Sequence, residues 1–268
     1  MTLLATWIAS DNKKEGLRHS SIYITTDSRI SWEKGKVFDG GQKVFGSKSS
    51  PDIFGYVGDV TFASTVISKL KNSVDDGLIF TGDMMPMDKF DRIFNFISSN
   101  LNSYPLSKRK NFVIIHCTRA GTKFFCHRIG WSKILQFNCQ SVIINNISEL
   151  VIAEGSGAVA FRTLYYSKYD RPEHNDYRTS RAVFHCFTEI LQKTKDYTVG
   201  GAAQVVGLYR SGNARFFGFI HENKRYYLGD EVNSEQNLNF VEWRNERFER
   251  CAPENMKLIV GAQRQPKT

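Results

Sequence analysis

Thr2-Leu3-Leu4-Ala5-Thr6-Trp7-Ile8-Ala9 stands directly behind Met1 as a β-prone run, and the fold depends on what this run lies beside. The polar stretch Asp11-Asn12-Lys13-Lys14-Glu15-Gly16 turns the chain, and Ser21-Ile22-Tyr23-Ile24-Thr25-Thr26-Asp27 brings it back, so the pair reads as an antiparallel hairpin. A small second residue is compatible with removal of Met1, which would leave Thr2 with a free α-amine. Such an amine, with an ordinary pKa of about 7.7–8.0, can serve as base for the hydroxyl of its own residue.

Outward from this hairpin the periodicity alternates. Strands are expected near 43–46 and 52–59, each followed by a glycine-bearing turn. Phe62, Ala63, Val66, Ile67 and Leu70 recur at helical spacing over 60–71, and Phe90, Ile93, Phe94, Ile97 and Leu101 do so over 88–101, before Pro105. Two strands, 111–117 and 123–129, flank Ala120-Gly121, and a short one is expected at 134–137. The run 151–157 is a strand entering a Gly-Ser-Gly turn, with helices following at 158–166 and 179–195. Two last strands, 203–209 and 214–220, are joined by Ser211-Gly212-Asn213, a hairpin signal.

Strands, two helices, strands, two helices, strands is the order of an α+β domain in which two antiparallel sheets pack face to face under outer helix pairs. Residues 1–231 are read as this domain. Residues 232–268 are read as a C-terminal extension, packed on the surface or partly disordered.

At 268 residues the chain is long enough to bury a substantial core, and the abundance of Phe (20) and Tyr (11) favours a sheet-rich one. No apolar stretch approaches the roughly 20 residues of a membrane helix, and no signal-peptide pattern opens the sequence. Five cysteines, Cys117, Cys126, Cys139, Cys186 and Cys251, form no CxxC pair, which argues against a disulfide framework or a zinc site and for reduced thiols in a cytoplasmic protein. A Cys117–Cys126 pairing across the hairpin is the exception considered and set aside. The six histidines show no ligand spacing, and neither metal nor cofactor is expected. The net charge of +9 is dispersed, and no nucleic-acid module accompanies it, so a solvated surface or an interface for an acidic partner is preferred to nucleic-acid binding.

An active threonine needs a positive group at its oxygen, an acid holding that group, and donors for an oxyanion. Asp27 at the end of the second strand and Lys43 at the start of the third meet beside Thr2 if these strands are neighbours. Gly58, between a strand and a helix, can offer a backbone N–H to an oxyanion, or simply make a tight turn. Gly155-Ser156-Gly157 can present the Ser156 hydroxyl or cap a helix. It is not a GxSxG elbow, because Glu154 and Ala158 stand where that motif needs glycines.

Taken in order, Thr2 before a strand, Thr26-Asp27-Ser28-Arg29, Gln42-Lys43-Val44, Tyr56-Val57-Gly58, Gly155-Ser156-Gly157 and Asp196-Tyr197-Thr198-Val199-Gly200-Gly201 resemble a proteasome β-type subunit and the bacterial ring peptidases of the same N-terminal-nucleophile superfamily. The resemblance runs roughly over 2–220 and implies a four-layer αββα sandwich. It implies Thr2 as nucleophile with its amine as base, Lys43 at the alkoxide, Asp27 positioning Lys43, and Gly58 N–H as oxyanion donor. Ser156 and Asp196 would support the amine and the proton relay. Ser31 would hold an extended substrate through its backbone, and Tyr56 would lie in the pocket for the side chain before the cut.

The implied activity is threonine-type endopeptidase cleavage through an acyl-Thr2 ester, on peptide or unfolded-protein substrate, in a homo-oligomeric ring that an ATP-dependent unfoldase could serve. A small-molecule amidase of the same fold and a non-catalytic structural subunit are the alternatives. Three departures from the family pattern stand out. Val199 occupies a position usually held by serine, Leu3 follows the nucleophile, and Glu154 and Asp59 place acids near the expected cleft, disfavouring acidic substrate side chains.

Overall fold

The computed structural model describes residues 2–13, 16–233 and 235–262. Its strands, in chain order, begin with β1 (Leu3–Lys13), β2 (Gly16–Thr26), β3 (Ile30–Ser31), β4 (Val37–Phe38), β5 (Val44–Gly46) and β6 (Asp52–Gly58). Helices α1 (Val60–Asp75) and α2 (Pro86–Ser103) follow, then β7 (Phe112–Ala120), β8 (Lys123–Ser132), β9 (Gln136–Val142) and β10 (Glu149–Gly155). After α3 (Ala158–Leu164) and α4 (Ser180–Lys193) come β11 (Gln204–Tyr209), β12 (Arg215–His221), β13 (Lys224–Tyr227), β14 (Asp230–Val232), β15 (Glu242–Arg244) and β16 (Arg250–Cys251). The molecule is α+β. No described helix is long and apolar enough to cross a membrane.

One sheet runs β10-β1-β2-β11-β12-β13-β14, with β15 and β16 attached beside β12; the other runs β5-β6-β7-β8-β9. The opening strand is therefore interior. It pairs antiparallel with β2 (Leu4 opposite Thr26) and with β10 (Leu3 opposite Gly155). Alternation decides which way each residue of β1 faces. Leu4 and Ile8 join Ile22, Ile24, Val44, Ile53, Ile115 and Val206 in one buried cluster between the sheets. Leu3, Ala5 and Trp7 face the other way, into a cluster with Phe161, Tyr165, Phe184 and Phe187 of the α3–α4 side. A third cluster seats α1 and α2 against the outer face of the second sheet, through Phe62, Val66, Ile67, Ile93 and Ile97 on Phe54, Tyr56, Ile114 and Ile129.

The two hairpins expected at the start and around Ala120-Gly121 are present, as are all four helices within a few residues of their expected bounds. α3 stops at Leu164, two residues short of its expected bound, and gives way to a π-helical turn, Tyr165–Tyr169. The strand expected at 134–137 is displaced and longer, β9, because its exposed, mostly polar residues carry no apolar alternation. The tail differs most. β15 pairs parallel with β12, Trp243 is buried, and Phe248 packs against Trp7, Tyr23 and Phe184 in the helix-covered core. Residues 235–262 thus complete the sheet and its core instead of lying on a finished surface, while 263–268 lie outside the described residues.

Candidate active site

Backbone pairing places Thr2. It enters β1 between β2 and β10, and the β2 end turns so that Asp27 N–H donates to the Leu3 carbonyl (3.1 Å) while Leu3 N–H donates to Asp27 Oδ1 (3.0 Å). On the other flank Gly155 has φ +98°, and a Cβ there would lie 1.9 Å from the Thr2 carbonyl oxygen. Only glycine permits both that backbone and that approach. Thr2 is 2% exposed.

Lys43 reaches this point from the residue preceding β5. Its Nζ donates to Thr2 Oγ1 at 2.7 Å, to Asp27 Oδ1 at 3.0 Å and to the Arg29 carbonyl at 2.5 Å. Neither the Lys43 nor the Asp27 side chain has exposed surface. Lys43 N–H is held by Gln204 Oε1 (2.9 Å), whose amide in turn donates to the Gly41 carbonyl (2.7 Å). Asp27 Oδ2 accepts from Gly200 N–H at 3.1 Å. Burial pushes the Asp27 carboxyl up, and Lys43 with the two backbone donors pulls against that push. The same burial draws the Lys43 ammonium down, opposed by Asp27. The pair is thereby brought closer to exchanging a proton than it would be in water.

Asp196 and Ser156 form a second small network. Asp196 Oδ1 accepts from Thr198 N–H (3.0 Å) and Thr198 Oγ1 (2.6 Å), and Thr198 Oγ1 lies 3.3 Å from Ser156 Oγ. Burial alone would raise the Asp196 carboxyl, but the Thr198 and Ser156 hydroxyls outweigh it and hold the group below its ordinary value. Thr198 links Ser156 to Asp196, a role that no local pattern in the sequence marks.

Gly58 closes β6 with φ +98°, a backbone that glycine adopts freely. Tyr56 N–H donates to the Lys43 carbonyl, and Asp59 N–H to the Asn111 carbonyl. Gly58 also lines a cleft of about 520 Å³, together with Gly155, Ser156, Trp131 and the Arg128–Glu154 ion pair (2.5 Å).

Several expectations for individual residues change. Tyr56 is buried among the helix-side residues, its hydroxyl donating to the Gln42 carbonyl (3.4 Å), so it stands beneath the sheet and not as an open pocket wall. Asp59 is the N-cap of α1, accepting from Thr61 N–H (3.0 Å) and Phe62 N–H (3.4 Å), and it does not line the cleft. Glu154 does line it, but paired with Arg128. Ser31 is half-buried in the short β3–β4 hairpin. Val199 is an apolar core residue. Met1 lies outside the described residues.

Nothing in the sequence marks Arg29 beyond its place after Asp27 and Ser28. Its guanidinium grips Asp39 through two bonds (Nε–Oδ1 2.7 Å, Nη2–Oδ2 2.9 Å) and donates to the Tyr197 carbonyl (3.1 Å), which fixes the carbonyl that Lys43 uses. Among the described residues no three His, Cys, Asp or Glu side chains come together as a metal site.

No protein-family model matches the chain. No curated protein matches it either. Among solved structures, it is similar to eukaryotic HslV from Trypanosoma brucei, with a TM-score of 0.48 and 13% identity, over 78% of this chain and 99% of that one.

Proposed function

We propose that this chain is a threonine-type N-terminal-nucleophile hydrolase that cleaves peptide bonds through an acyl ester on Thr2. One observation carries the reading: Lys43 Nζ sits 2.7 Å from Thr2 Oγ1 with Asp27 behind it, all three groups buried. The layered packing of sheets and helices is read as the αββα sandwich of that superfamily.

In this reading the α-amine of Thr2, once freed of Met1, takes the Oγ proton as Oγ attacks the substrate carbonyl. Lys43 stabilises the developing alkoxide, and Gly58 N–H donates to the oxyanion. The proton passes from the amine to the departing amine of the substrate, and the Thr2 ester remains. Water, deprotonated by the same amine, then releases the acid and restores Oγ–H. Ser156, Thr198 and Asp196 hold the amine and that water. Ser31 aligns an extended substrate. A homo-oligomeric ring and a partner unfoldase belong to the same proposal.

Intact-mass measurement of purified protein tests the premise, with loss of Met1 expected. Exposure to a peptide vinyl sulfone is then expected to add one adduct on Thr2, absent in Thr2→Ala and slowed at least a hundredfold in Lys43→Ala. Met1-free, folded protein that takes no adduct and cleaves no peptide would overturn the proposal. That result would favour a non-catalytic subunit, the reading to which Val199 points by offering the site no hydroxyl.

A further inference from the structure

A cavity of about 1120 Å³ lies away from Thr2, between the turn end of the β1–β2 hairpin, the β7–β8 hairpin and the start of α2. It slightly exceeds the usual span of small-molecule sites, about 300–1,000 Å³. Its walls are mainly apolar, including Leu17, Met85, Met87, Phe124 and Val142. Leu17, Met85 and Met87 are exposed, which is unusual for such side chains clustered at one place.

The charged side chains that line the cavity share one sign: none is Asp or Glu, and Lys123 stands exposed on the rim. Arg210 also lines it, but its guanidinium is engaged by Asp11 (3.0 Å) and two backbone carbonyls. Helix α2 presents its N-terminus here, with Met85 at the cap position, no side chain capping the free N–H groups and Asp88 as the acid of its first turn, so backbone donors at the positive end of the helix dipole face this region. His127 forms part of the wall. It is 3% exposed, its Nδ1 meets Ser141 Oγ at 3.0 Å, and its Nε2 has no partner among the described residues. A buried polar nitrogen left without a partner carries a cost that a ligand group can remove.

We propose that this cavity binds an amphipathic anion of the long-chain carboxylate class. The alkyl chain lies along Leu17, Met85, Met87, Phe124 and Val142, and the carboxylate lies toward Lys123 and the α2 N-terminus. The site is independent of Thr2 chemistry and stands or falls without it.

Titration of the full chain with octanoate, decanoate and dodecanoate, each below its micelle concentration, tests this by calorimetry. One saturable site is expected, tightening about fourfold for each added methylene, the factor that burial of one CH2 carries. Dodecyltrimethylammonium, with the same chain and opposite charge, is expected to bind at least tenfold more weakly. Two variants should each weaken dodecanoate at least tenfold: Lys123→Glu at the rim, and Met87→Glu, which puts an acid in the first turn of α2 where it favours the helix. Circular dichroism confirms that both remain folded. Absence of saturation, equal binding of the cationic chain, or folded variants that bind like the parent would overturn the proposal. Equal binding of both chains would instead mark an apolar docking face for another protein.

Discussion

Lys43 has its ammonium enclosed by three oxygens, from Thr2, Asp27 and Arg29, and no water-exposed surface. Removing one partner of such a pair strands the other charge. Asp27→Asn is therefore expected to lower stability by about 3–5 kcal/mol, read from the denaturant midpoint. Adding Lys43→Met should recover part of that loss, since the stranded ammonium goes with it. Asp27 and Lys43 were legible because each ends or begins a recognisable strand. The bracing of Arg29 by Asp39 and of Lys43 by Gln204 was not, because those contacts join segments whose relative placement no local pattern encodes.

A second prediction at this scale concerns His127. Burial, with the neighbouring His116, draws its pKa down to about 4, below an unfolded value of about 6.5. The unfolded chain thus binds the proton first as pH falls. The stability this contributes is full above about 6.5 and is lost between there and about 4. Urea midpoints measured across that window should fall for the parent, and less steeply for His127→Phe, which keeps a ring against Phe90 (4.8 Å).

At the scale of elements, α1 shows how one motif serves two ends. Gly58 and Asp59 adjoin, but Gly58 turns the strand while Asp59 caps the helix. Asp59→Ala should cost about 1 kcal/mol in thermal or chemical unfolding, the ordinary worth of an N-cap. It should leave any Thr2 reactivity intact. Had Asp59 lined the cleft as its position beside Gly58 suggested, reactivity toward acidic substrates would change instead. The helices were readable because their apolar spacing is regular. β9 was not, because an exposed edge strand of Gln136, Asn138, Gln140 and Ser141 looks like a loop in sequence.

Across the whole molecule, the tail is the largest revision. A charged, turn-rich sequence reads as an accessory, yet it buries Trp243 and sets Phe248 at ring distances of 5.5 Å from Trp7 and 5.1 Å from Tyr23. Its apolar residues are too few and too widely spaced to announce themselves, and only the completed sheet supplies their partners. Phe248→Ala should cost about 3–5 kcal/mol by calorimetry or denaturant titration, as expected for an emptied aromatic site in a core.

The contact between Trp7 and Phe248 also bears on the order in which the protein comes into being. A ribosome delivers the first strand long before the ring that covers it. The interior of the first sheet therefore stays incomplete until β15 and the turn carrying Phe248 have been made, and an apolar face waits uncovered for a partner that comes much later in the chain. A hydrolytic centre on Thr2 would then mature only after that late ring has closed over the first strand.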